Sequence, residues 1–470
     1  MTLGEIAAIV GGSVAGSDAG EGPAEGVVVS GPAFLDSRAP EPGGLFLAIA
    51  GEHVDGHDYA VGAVAGGAAA VLGSRATDVP TVVVADVELA VQALATHVLR
   101  ALRAANPALT VLAVTGSQGK TSVKDMLGAV LGDAGPTVAT YGSFNNELGL
   151  PITALRATRE TRYLVLEMGA RGIGHIALLC TIAPPDISVV LNVGTAHLGE
   201  FGSREAIAVA KGELVEALGP QGTAVLNLDD PLVAAMAPRT RGRVRTFGRE
   251  GGAAVRLEAL EVDDLGRPVF DLQSGAERVR VRLNLLGAHQ ATNAAAAATA
   301  ALAAGLDLAS IGASLEALTA LSKWRMELHE RDDGLIVVND AYNANPESVR
   351  AALDTLAGIG ERTGRPTVAV LGEMRELGES ARAQHVGIGR HAHELGIDRV
   401  FVVGEGARAI HETLRETDDT AFFCSSVLDA VEVVRNNVDG TEVVLVKASR
   451  AAGLEQVAEA LVATRSEEGQ

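Results

Sequence analysis

The sequence is poor in cysteine and has no basic residue near its amino terminus. Its two cysteines, Cys180 and Cys424, form neither a CxxC pair nor a disulfide framework, as expected in a reducing compartment. No Lys or Arg precedes Arg38, so the basic region of a secretory signal peptide is absent. The longest uncharged stretches, 60–73 and 291–306, are dominated by Ala and Gly and lack the bulky apolar side chains of a membrane span. We therefore predict a cytoplasmic protein without a membrane-inserted segment.

Basic residues are also outnumbered by acidic ones. The chain has 38 Lys and Arg against 59 Asp and Glu, which gives a formal net charge of -21. A charge of this sign is repelled by the phosphates of nucleic acids and by anionic membrane surfaces, so neither is expected as a partner. A small anionic ligand can still bind at a locally basic site.

The length and the apolar content predict several α/β domains. A chain of 470 residues that is 47% hydrophobic exceeds one ordinary core, and the usual domain size gives roughly three domains. We place a small N-terminal domain at 1–104, a central domain at 105–321 and a doubly wound C-terminal domain at 322–470, with a hinge at 321–324. Apolar runs alternate with helical stretches, as in parallel sheets covered on both faces. These runs predict strands at 111–114, 163–166, 187–191, 224–226, 335–339, 367–371, 399–403 and 442–446.

The strongest local motif is a loop between a predicted strand and a predicted helix. It consists of Thr115, Gly116, Ser117, Gln118, Gly119, Lys120, Thr121 and Ser122. In a phosphate loop, glycines let backbone N–H groups approach phosphate oxygens, the lysine reaches the transferring phosphate and the following Thr ligates magnesium. Val114 stands where the usual pattern has its first glycine, so this is a shortened variant. A tight turn before a helix is the alternative, but the strand, Gly-Lys-Thr and helix together favour nucleotide binding.

Three further residues are candidates for the reaction site. Glu167 ends a predicted strand at the sheet edge where ligands collect, and its oxygens suit magnesium, although a glutamate there can also merely cap a turn. His197 follows the next strand and can ligate a second cation, although a lone histidine is more often structural. Lys211 lies on an apolar helical run, where its chemistry alone favours a solvated surface lysine.

Motifs along the whole chain resemble those of the Mur ligases and occur in the same order. The matching stretches are 36–38, 46–52, 55–58, the phosphate loop, 145–149, 167–170, 192–197, 210–213, 339–346, 371–374, 376–378 and 447–452. The block 339–346 (NDAYNANP) and the ending 447–450 (KASR) resemble the members that add a dipeptide rather than a single amino acid. Gln290 departs from the family, because related sequences often have an asparagine there, and 322–325 replaces a Gly-Arg pair.

The resemblance implies roles for individual residues. It places catalysis at Lys120, Glu167, His197 and Lys211, and magnesium, as two ions, at Thr121, Glu167, His197 and Lys211. The family counterpart of Lys211 is carbamylated by carbon dioxide, which turns a repelling ammonium into an anion. Besides the phosphate loop, ATP is expected to contact Asn293, Arg325, Asp340 and Tyr342. The other substrates are expected at Ser37, Arg38, Asn145, Asn146, Asn343, Asn345, Lys447 and Arg450, with turn and surface structure as the alternative for the last four.

The implied activity is that of an ATP-dependent, ADP-forming peptide ligase of cell-wall peptidoglycan synthesis. Its expected partners are UDP-MurNAc-tripeptide and D-alanyl-D-alanine, joined through an acyl phosphate to give UDP-MurNAc-pentapeptide, and a monomer is expected. The resemblance implies a UDP-sugar domain, a P-loop ATPase-like parallel sheet domain and a Rossmann-like C-terminal domain that binds nucleotide and dipeptide. Alternatives are another Mur-like or folylpolyglutamate-type amide ligase and a non-catalytic, nucleotide-gated binding protein. The candidate cation site disfavours the last, because a pure switch does not need one.

Overall fold

The computed structural model describes residues 1–16, 23–51, 54–142, 144–194, 201–319, 322–416 and 421–463. Within these residues the chain forms three sheets, and helices pack on each of them. In the same part of the chain, no helix combines the length and the apolar character needed to cross a membrane.

The first sheet has five strands. They are β1 (Ser13–Ala15), β2 (Ala33–Phe34), β3 (Leu45–Ala48), β4 (Ala70–Gly73) and β5 (Thr81–Val83). Their order is β1-β5-β4-β3-β2, and β1 is antiparallel to β5 whereas the other pairs are parallel. The helices are α1 (Leu3–Val10), α2 (Ala60–Ala65) and α3 (Val87–Ala105), with 3-10 turns at Ala24–Gly26 and Gly56–Tyr59. α1 starts at Leu3 because Thr2 and Glu5 form a capping box that satisfies its first N–H groups.

The central sheet has nine strands. They are β6 (Thr110–Thr115), β7 (Thr137–Ala139), β8 (Tyr163–Glu167), β9 (Ile187–Val190), β10 (Thr223–Asn227), β11 (Arg243–Gly248), β12 (Val255–Val262), β13 (Pro268–Ser274) and β14 (Glu277–Arg282). Their order is β14-β13-β12-β11-β10-β9-β6-β8-β7, parallel from β7 to β12 and antiparallel at the β12, β13 and β14 end. The helices are α4 (Lys120–Ala134), α5 (Gly149–Ala154), α6 (His175–Ile182), α7 (Arg204–Glu216), α8 (Pro231–Ala234), α9 (His289–Ala303) and α10 (Leu308–Ala317), with a 3-10 turn at Ala237–Arg239.

Apolar clusters cover both faces of this central sheet. Along β6, Leu112 and Val114 join the cluster beneath α4, α9 and α10, whereas Val111 and Ala113 join the cluster on the opposite face. All four side chains are fully buried, as expected where successive residues of a strand point to opposite covered faces. β6 therefore forms the rigid centre of the sheet, and the loop that follows it has a fixed starting point.

The third sheet has six strands. They are β15 (Glu327–Glu330), β16 (Ile336–Asp340), β17 (Thr367–Leu371), β18 (Arg399–Val403), β19 (Ala421–Cys424) and β20 (Val443–Lys447). Their order is β15-β16-β20-β17-β18-β19, and only the edge strand β15 is antiparallel. The helices are α11 (Pro346–Thr363), α12 (Ala381–Glu394), α13 (Arg408–Arg415), α14 (Val427–Asn436) and α15 (Glu455–Val462), with 3-10 turns at Gly378–Ser380, Glu405–Ala407 and Arg450–Ala452.

The predicted α/β class is confirmed at the level of individual strands. All eight strands predicted from apolar runs are present, and their ends differ from the prediction by at most one residue. In the central and third sheets, seven strands were not predicted: β7, β11, β12, β13, β14, β15 and β19. The domain ranges 1–104, 105–321 and 322–470 stay predictions.

Candidate active site

The phosphate loop joins the end of β6 to the start of α4. Gly119, the residue before α4, has φ 80°, a left-handed conformation that glycine adopts without steric cost. Asn192, which follows β9, holds the loop: its Oδ1 accepts the N–H of Gln118 at 2.9 Å, and its carbonyl accepts the N–H of Ser117 at 3.2 Å. The loop is thus fixed by the neighbouring strand, and the N-terminus of α4 offers its N–H groups to phosphate at the sheet edge.

Replacing Gly119 with alanine is expected to weaken ADP binding at least about tenfold and to lower the free energy of unfolding by about 1–2 kcal/mol. The added Cβ would lie 2.6 Å from Asn293 Oδ1, and alanine disfavours the left-handed φ. Isothermal titration with ADP and urea unfolding measure the two effects. Gly132→Ala is the matched control: it lies within α4 with open space around its Cβ, so it should stabilise the protein by about 0.5–1 kcal/mol. Unchanged ADP affinity in Gly119→Ala would contradict the phosphate-loop geometry.

Lys120, the first residue of α4, folds back over the loop. It is half-buried, and its Nζ donates to the carbonyl of Gly116 at 2.9 Å. Burial lowers the pKa of the Lys120 ammonium, the carboxylate of Glu167 acts in the opposite direction, and the guanidinium of Arg325 lowers the pKa further. Lys120 is therefore electrostatically coupled to the end of β8 and to the chain segment that precedes β15.

Glu167, at the end of β8, places a buried carboxylate beside the phosphate loop. It is 1% exposed, and its Oε2 accepts the hydroxyl of Thr121 at 2.9 Å while its Oε1 accepts the amide of Asn145 at 2.8 Å. Both donors are neutral, and none of the ion pairs between described residues includes Glu167. A buried carboxylate that has only neutral hydrogen-bond donors attracts a cation.

These oxygen donors fit magnesium bound beside a triphosphate. Magnesium at such sites takes one or two carboxylates together with phosphate oxygens, and Thr121 and Glu167 supply a hydroxyl and a carboxylate. Among the described residues, no group of three or more His, Cys, Asp or Glu side chains could hold a metal ion by itself. His197, the other predicted ligand, lies outside the described residues.

Lys211, on α7, is buried rather than solvated. It is 7% exposed, and burial together with the charge of Lys120 holds the pKa of its ammonium well below the usual range. Glu213, two residues after Lys211, fixes this helix. Its carboxylate accepts the N–H groups of Gly174 at 2.6 Å and Ala177 at 2.9 Å. The surface-lysine alternative is therefore wrong, and the environment favours the uncharged amine.

The third sheet contributes an ion pair between the buried Lys447 and the half-buried Asp340 to the same region. Asp340 and Lys447 are register partners at the ends of β16 and β20, and Lys447 Nζ donates to Asp340 Oδ2 at 2.5 Å and to the carbonyl of Asn343 at 2.9 Å. The side chain of His289, the first residue of α9, is exposed, yet desolvation by the protein atoms around it lowers the pKa of its imidazole, while Asp340 raises that pKa and Lys447 lowers it. The start of α9 thus faces the carboxyl edge of the third sheet.

The predicted adenine and phosphate residues lie between the two sheets. Gln290 is 3% exposed and its Oε1 accepts the side-chain amide of Asn293 at 2.9 Å, so it orients Asn293 beside the phosphate loop. The guanidinium of Arg325 lies 4.3 Å from the ring centroid of Tyr342. The departure at Gln290 therefore preserves a polar contact within the helix.

Two predicted substrate residues belong to the first sheet's side of the molecule. Arg38 is exposed and pairs with Asp36 at 2.8 Å, which holds the pKa of Asp36 down at about 2. Ser37 lies between them and is half-buried. No hydrogen bond or ion pair between described residues joins Ser37 or Arg38 to the phosphate loop.

The remaining predicted substrate residues have local partners. Asn146 Oδ1 accepts the N–H of Gly149 at 2.9 Å. Asn345 is the N-cap of α11, where its Oδ1 accepts the N–H of Ser348 at 2.9 Å, as the structural alternative expected. The guanidinium of Arg450 lies 4.0 Å from the Trp324 ring centroid.

Several residues that build the site were not predicted. Asn192, which holds the phosphate loop, begins the motif 192–197, of which only His197 is predicted to have a role. Thr140 accepts the N–H of Glu167 with its hydroxyl at 3.0 Å, and Asp125 accepts two bonds from Ser322. The position of Asn192 directly after a strand was a usable signal, whereas the others depend on contacts between distant segments.

The five lysines of the chain are unevenly exposed. Lys124, Lys211 and Lys447 are 2%, 7% and 2% exposed, and Lys120 is half-buried. Only Lys323, in the segment between the central and third sheets, is exposed.

Comparisons with known proteins match all three sheets. Models described as Mur ligase family, catalytic domain, Mur ligase middle domain and Mur ligase, glutamate ligase domain match residues 34–111, 114–301 and 324–450, and the predicted three-domain α/β class is thereby confirmed. A UDP-N-acetylmuramoyl-tripeptide–D-alanyl-D-alanine ligase of Mycobacterium tuberculosis is 47% identical over 98% of this chain and 98% of its own. A crystal structure of MurF from Acinetobacter baumannii has TM-score 0.83 and 30% identity, covering 98% of both chains. MurF from Thermotoga maritima in complex with ADP has TM-score 0.75 and 30% identity, covering 93% of this chain and 98% of that one.

Proposed function

The chain belongs to the Mur ligase family, and we propose that it joins D-alanyl-D-alanine to UDP-MurNAc-tripeptide while ATP is converted to ADP and phosphate. The observation that carries the proposal is that the phosphate loop, through Thr121, meets the buried carboxylate of Glu167 at one edge of the central sheet, with the buried Lys211 electrostatically coupled to Lys120. Asp340 and Lys447 of the third sheet lie close enough to His289, at the start of α9, to shift the pKa of its imidazole. The relatives named for this reaction supply the choice of substrates.

The chemistry must first activate a carboxylate, because a carboxylate does not react with an amine at neutral pH. The terminal carboxylate of the tripeptide attacks the γ-phosphorus of ATP, the bond to the ADP oxygen breaks, and an acyl phosphate forms. The amine of D-alanyl-D-alanine then attacks the acyl carbon and loses a proton. Collapse of the tetrahedral intermediate expels phosphate and leaves the amide of UDP-MurNAc-pentapeptide.

The residues of the central sheet offset the negative charge of the first step. The phosphate loop, with Thr115, Gly116, Ser117, Gln118, Gly119, Lys120, Thr121 and Ser122, would bind the phosphates through its N–H groups. Lys120, whose Nζ lies over the loop, would contact the transferring phosphate, and a preorganised cation of this kind would stabilise the charge that develops there. Arg325 would contact the phosphates of ATP beside Lys120, and Asn293, Asp340 and Tyr342 would bind the rest of ATP.

Thr121 and Glu167 would hold one magnesium ion, and His197 and Lys211 would help to hold a second. When bound, magnesium neutralises phosphate oxygens and so weakens the repulsion between them and the attacking carboxylate. Lys211 suits this role only as an anion. Its buried amine, which favours the uncharged form, can attack carbon dioxide and lose a proton to give a carbamate.

The other proposed contacts are divided among the three predicted domains. Residues 1–104 would bind the UDP-sugar through Ser37 and Arg38, residues 105–321 would bind ATP, and residues 322–470 would bind nucleotide and dipeptide. Asn145 and Asn146 would meet the tripeptide, and Asn343, Asn345, Lys447 and Arg450 would meet the nucleotide or the dipeptide. Closure of the third sheet over the central one would exclude the water that hydrolyses acyl phosphates. We propose a cytoplasmic monomer.

Phosphate release tests this function directly. Purified protein would be incubated with ATP, magnesium and UDP-MurNAc-tripeptide, and D-alanyl-D-alanine would be compared with single amino acids and with glutamate plus folate. We expect release that depends on the dipeptide, with UDP-MurNAc-pentapeptide identified by mass. Turnover with another acceptor would reassign the substrate to a different Mur-like or folylpolyglutamate-type ligase. Nucleotide binding without any product would support a non-catalytic, nucleotide-gated protein instead.

A further inference from the structure

The linker, defined here as residues 322–326, connects the central sheet to the third sheet under backbone strain. Trp324 has φ 58° and Met326 has φ 51°, a left-handed conformation that side chains other than glycine rarely adopt. Such residues persist only where surrounding contacts hold them, and they occur preferentially at functional sites. Arg325 lies between these two residues, so its direction depends on whatever holds the linker.

The first of these contacts is to α4, the helix of the phosphate loop. Asp125 Oδ2 accepts the N–H of Ser322 at 2.9 Å and its hydroxyl at 2.8 Å. Asp125 Oδ1 pairs with Lys124, whose side chain is 3% exposed. Both oxygens of the carboxylate are therefore used, and the bonds to Ser322 are charge-assisted, which makes them stronger than neutral ones.

The other contacts bind the far end of the linker to the third sheet. The carbonyl of Trp324 accepts the N–H of Tyr342 at 3.2 Å, and Asp340 Oδ1 accepts the N–H of Met326 at 3.1 Å. Arg325 stacks on the Tyr342 ring, and its guanidinium is close enough to Lys120 to lower the pKa of the Lys120 ammonium. The linker thus has one anchor on α4 and another on the loop after β16, with Arg325 between them.

We propose that Asp125 is a positioning residue that ties the phosphate-loop helix to the linker and so holds Arg325 at the nucleotide. Asp125 follows Thr121 by four residues, one helical turn, so both lie on the same side of α4. Any shift of α4 at the phosphates is then transmitted to Ser322. Asp125 does not contact the reacting atoms. The inference rests on the proposed ligase function where it is tested by kcat. Its second test, the fluorescence of Trp324, does not depend on that function.

The same helix provides a matched control at its other end. Asp133 Oδ2 accepts the hydroxyl of Ser314, on α10, at 2.5 Å. This bond also joins an aspartate of α4 to a serine, but it stays within the central part of the chain and touches no linker residue. Ser314→Ala therefore removes a comparable bond without affecting the anchor of Arg325.

Ser322→Ala removes the hydroxyl bond and leaves Lys124 and Asp125 paired, so it should fold normally. We expect kcat for ligation to fall about tenfold, with KM for ATP within about twofold of wild type, because Arg325 acts on the transferring charge. Ser322→Thr, which keeps the hydroxyl, should restore kcat, and Ser314→Ala should leave it unchanged. Equal kcat in Ser322→Ala and wild type, or an equal loss in Ser314→Ala, would overturn the proposal.

Trp324 is the single tryptophan of the chain and reports on the linker without a label. Its Nε1 donates to Glu459 Oε1 at 3.3 Å and its ring lies beneath Arg450. We expect the acrylamide quenching constant of Trp324 to rise at least twofold in Ser322→Ala, and again in Asp125→Asn, in the presence of ADP and magnesium. Unchanged quenching in both variants would reject the anchor. If wild-type protein lacks ligase activity but quenching rises, the proposed function fails and the anchor stands.

Discussion

Replacing Lys120 with methionine is expected to lower kcat for ligation on the order of 10³-fold while ADP still binds within about tenfold of its wild-type affinity. In the proposed mechanism Lys120, whose Nζ lies over the phosphate loop, would contact the phosphate that moves, whereas the loop N–H groups and the start of α4 would bind the phosphates that stay. Methionine keeps the length and most of the apolar contact of the side chain. Pre-steady-state phosphate release and ADP calorimetry measure the two quantities separately.

Lys323→Met is the matched control for this variant. It removes a lysine of the same charge that is exposed on the linker. We expect less than a twofold change in kcat, because solvent and salt screen a charge at that position. If Lys120→Met retained more than a tenth of wild-type kcat, the lysine of the phosphate loop would not carry the charge stabilisation assigned to it.

Lys211→Ala is expected to abolish ligation to below about one hundredth of wild-type kcat, because the proposed carbamate would be lost together with its amine. Burial and the charge of Lys120 both lower the pKa of the Lys211 ammonium, which disfavours a cationic role for this side chain. Ligation would be measured by pentapeptide formation at saturating substrates. Thermal unfolding would be recorded in parallel, because α7 is anchored independently by Glu213 and should stay folded.

Chemical rescue separates the carbamate from an ordinary structural lysine. Acetate or propionate should raise the kcat of Lys211→Ala at least tenfold by supplying the missing carboxylate. Chloride at equal ionic strength should leave this kcat unchanged. Wild-type activity should also decline in buffer stripped of carbon dioxide and return with bicarbonate. Near-wild-type activity of Lys211→Ala, or no effect of either treatment, would remove the carbamate from the mechanism.

The fully buried strands could be predicted from the sequence because burial on both faces leaves a continuous apolar run. β6, β8, β17 and β18 are of this kind, and none of their predicted ends was wrong by more than one residue. β14 was missed because only one of its faces is covered. From Arg278 to Arg282 its sequence alternates Arg with Val, and only Val281 is fully buried.

The site could be predicted where its residues directly follow strands. Lys120 was identified from the phosphate-loop motif between a predicted strand and a predicted helix, and Glu167 from its position at the end of a predicted strand. The parallel pairing of β6 with β8 brings these two strand ends to one edge of the sheet. The burial of Lys211 depends on how α7 packs, which its own sequence does not reveal, so only the family resemblance indicated a role. Asp125 and Ser322 are separated by 197 positions, and neither has a local pattern that predicts the other.

Because the lysines are unevenly exposed, reagents that acylate amines should modify this protein at few positions. Apart from the amino terminus, such a reagent meets a freely accessible target at Lys323, because Lys124, Lys211 and Lys447 are shielded and Lys120 is half-covered. Lys323 is also the neighbour of the single tryptophan. A dye attached there would form a donor and acceptor pair with Trp324 at the joint between the central and third sheets, and the wild-type sequence would need no engineered cysteine to be labelled.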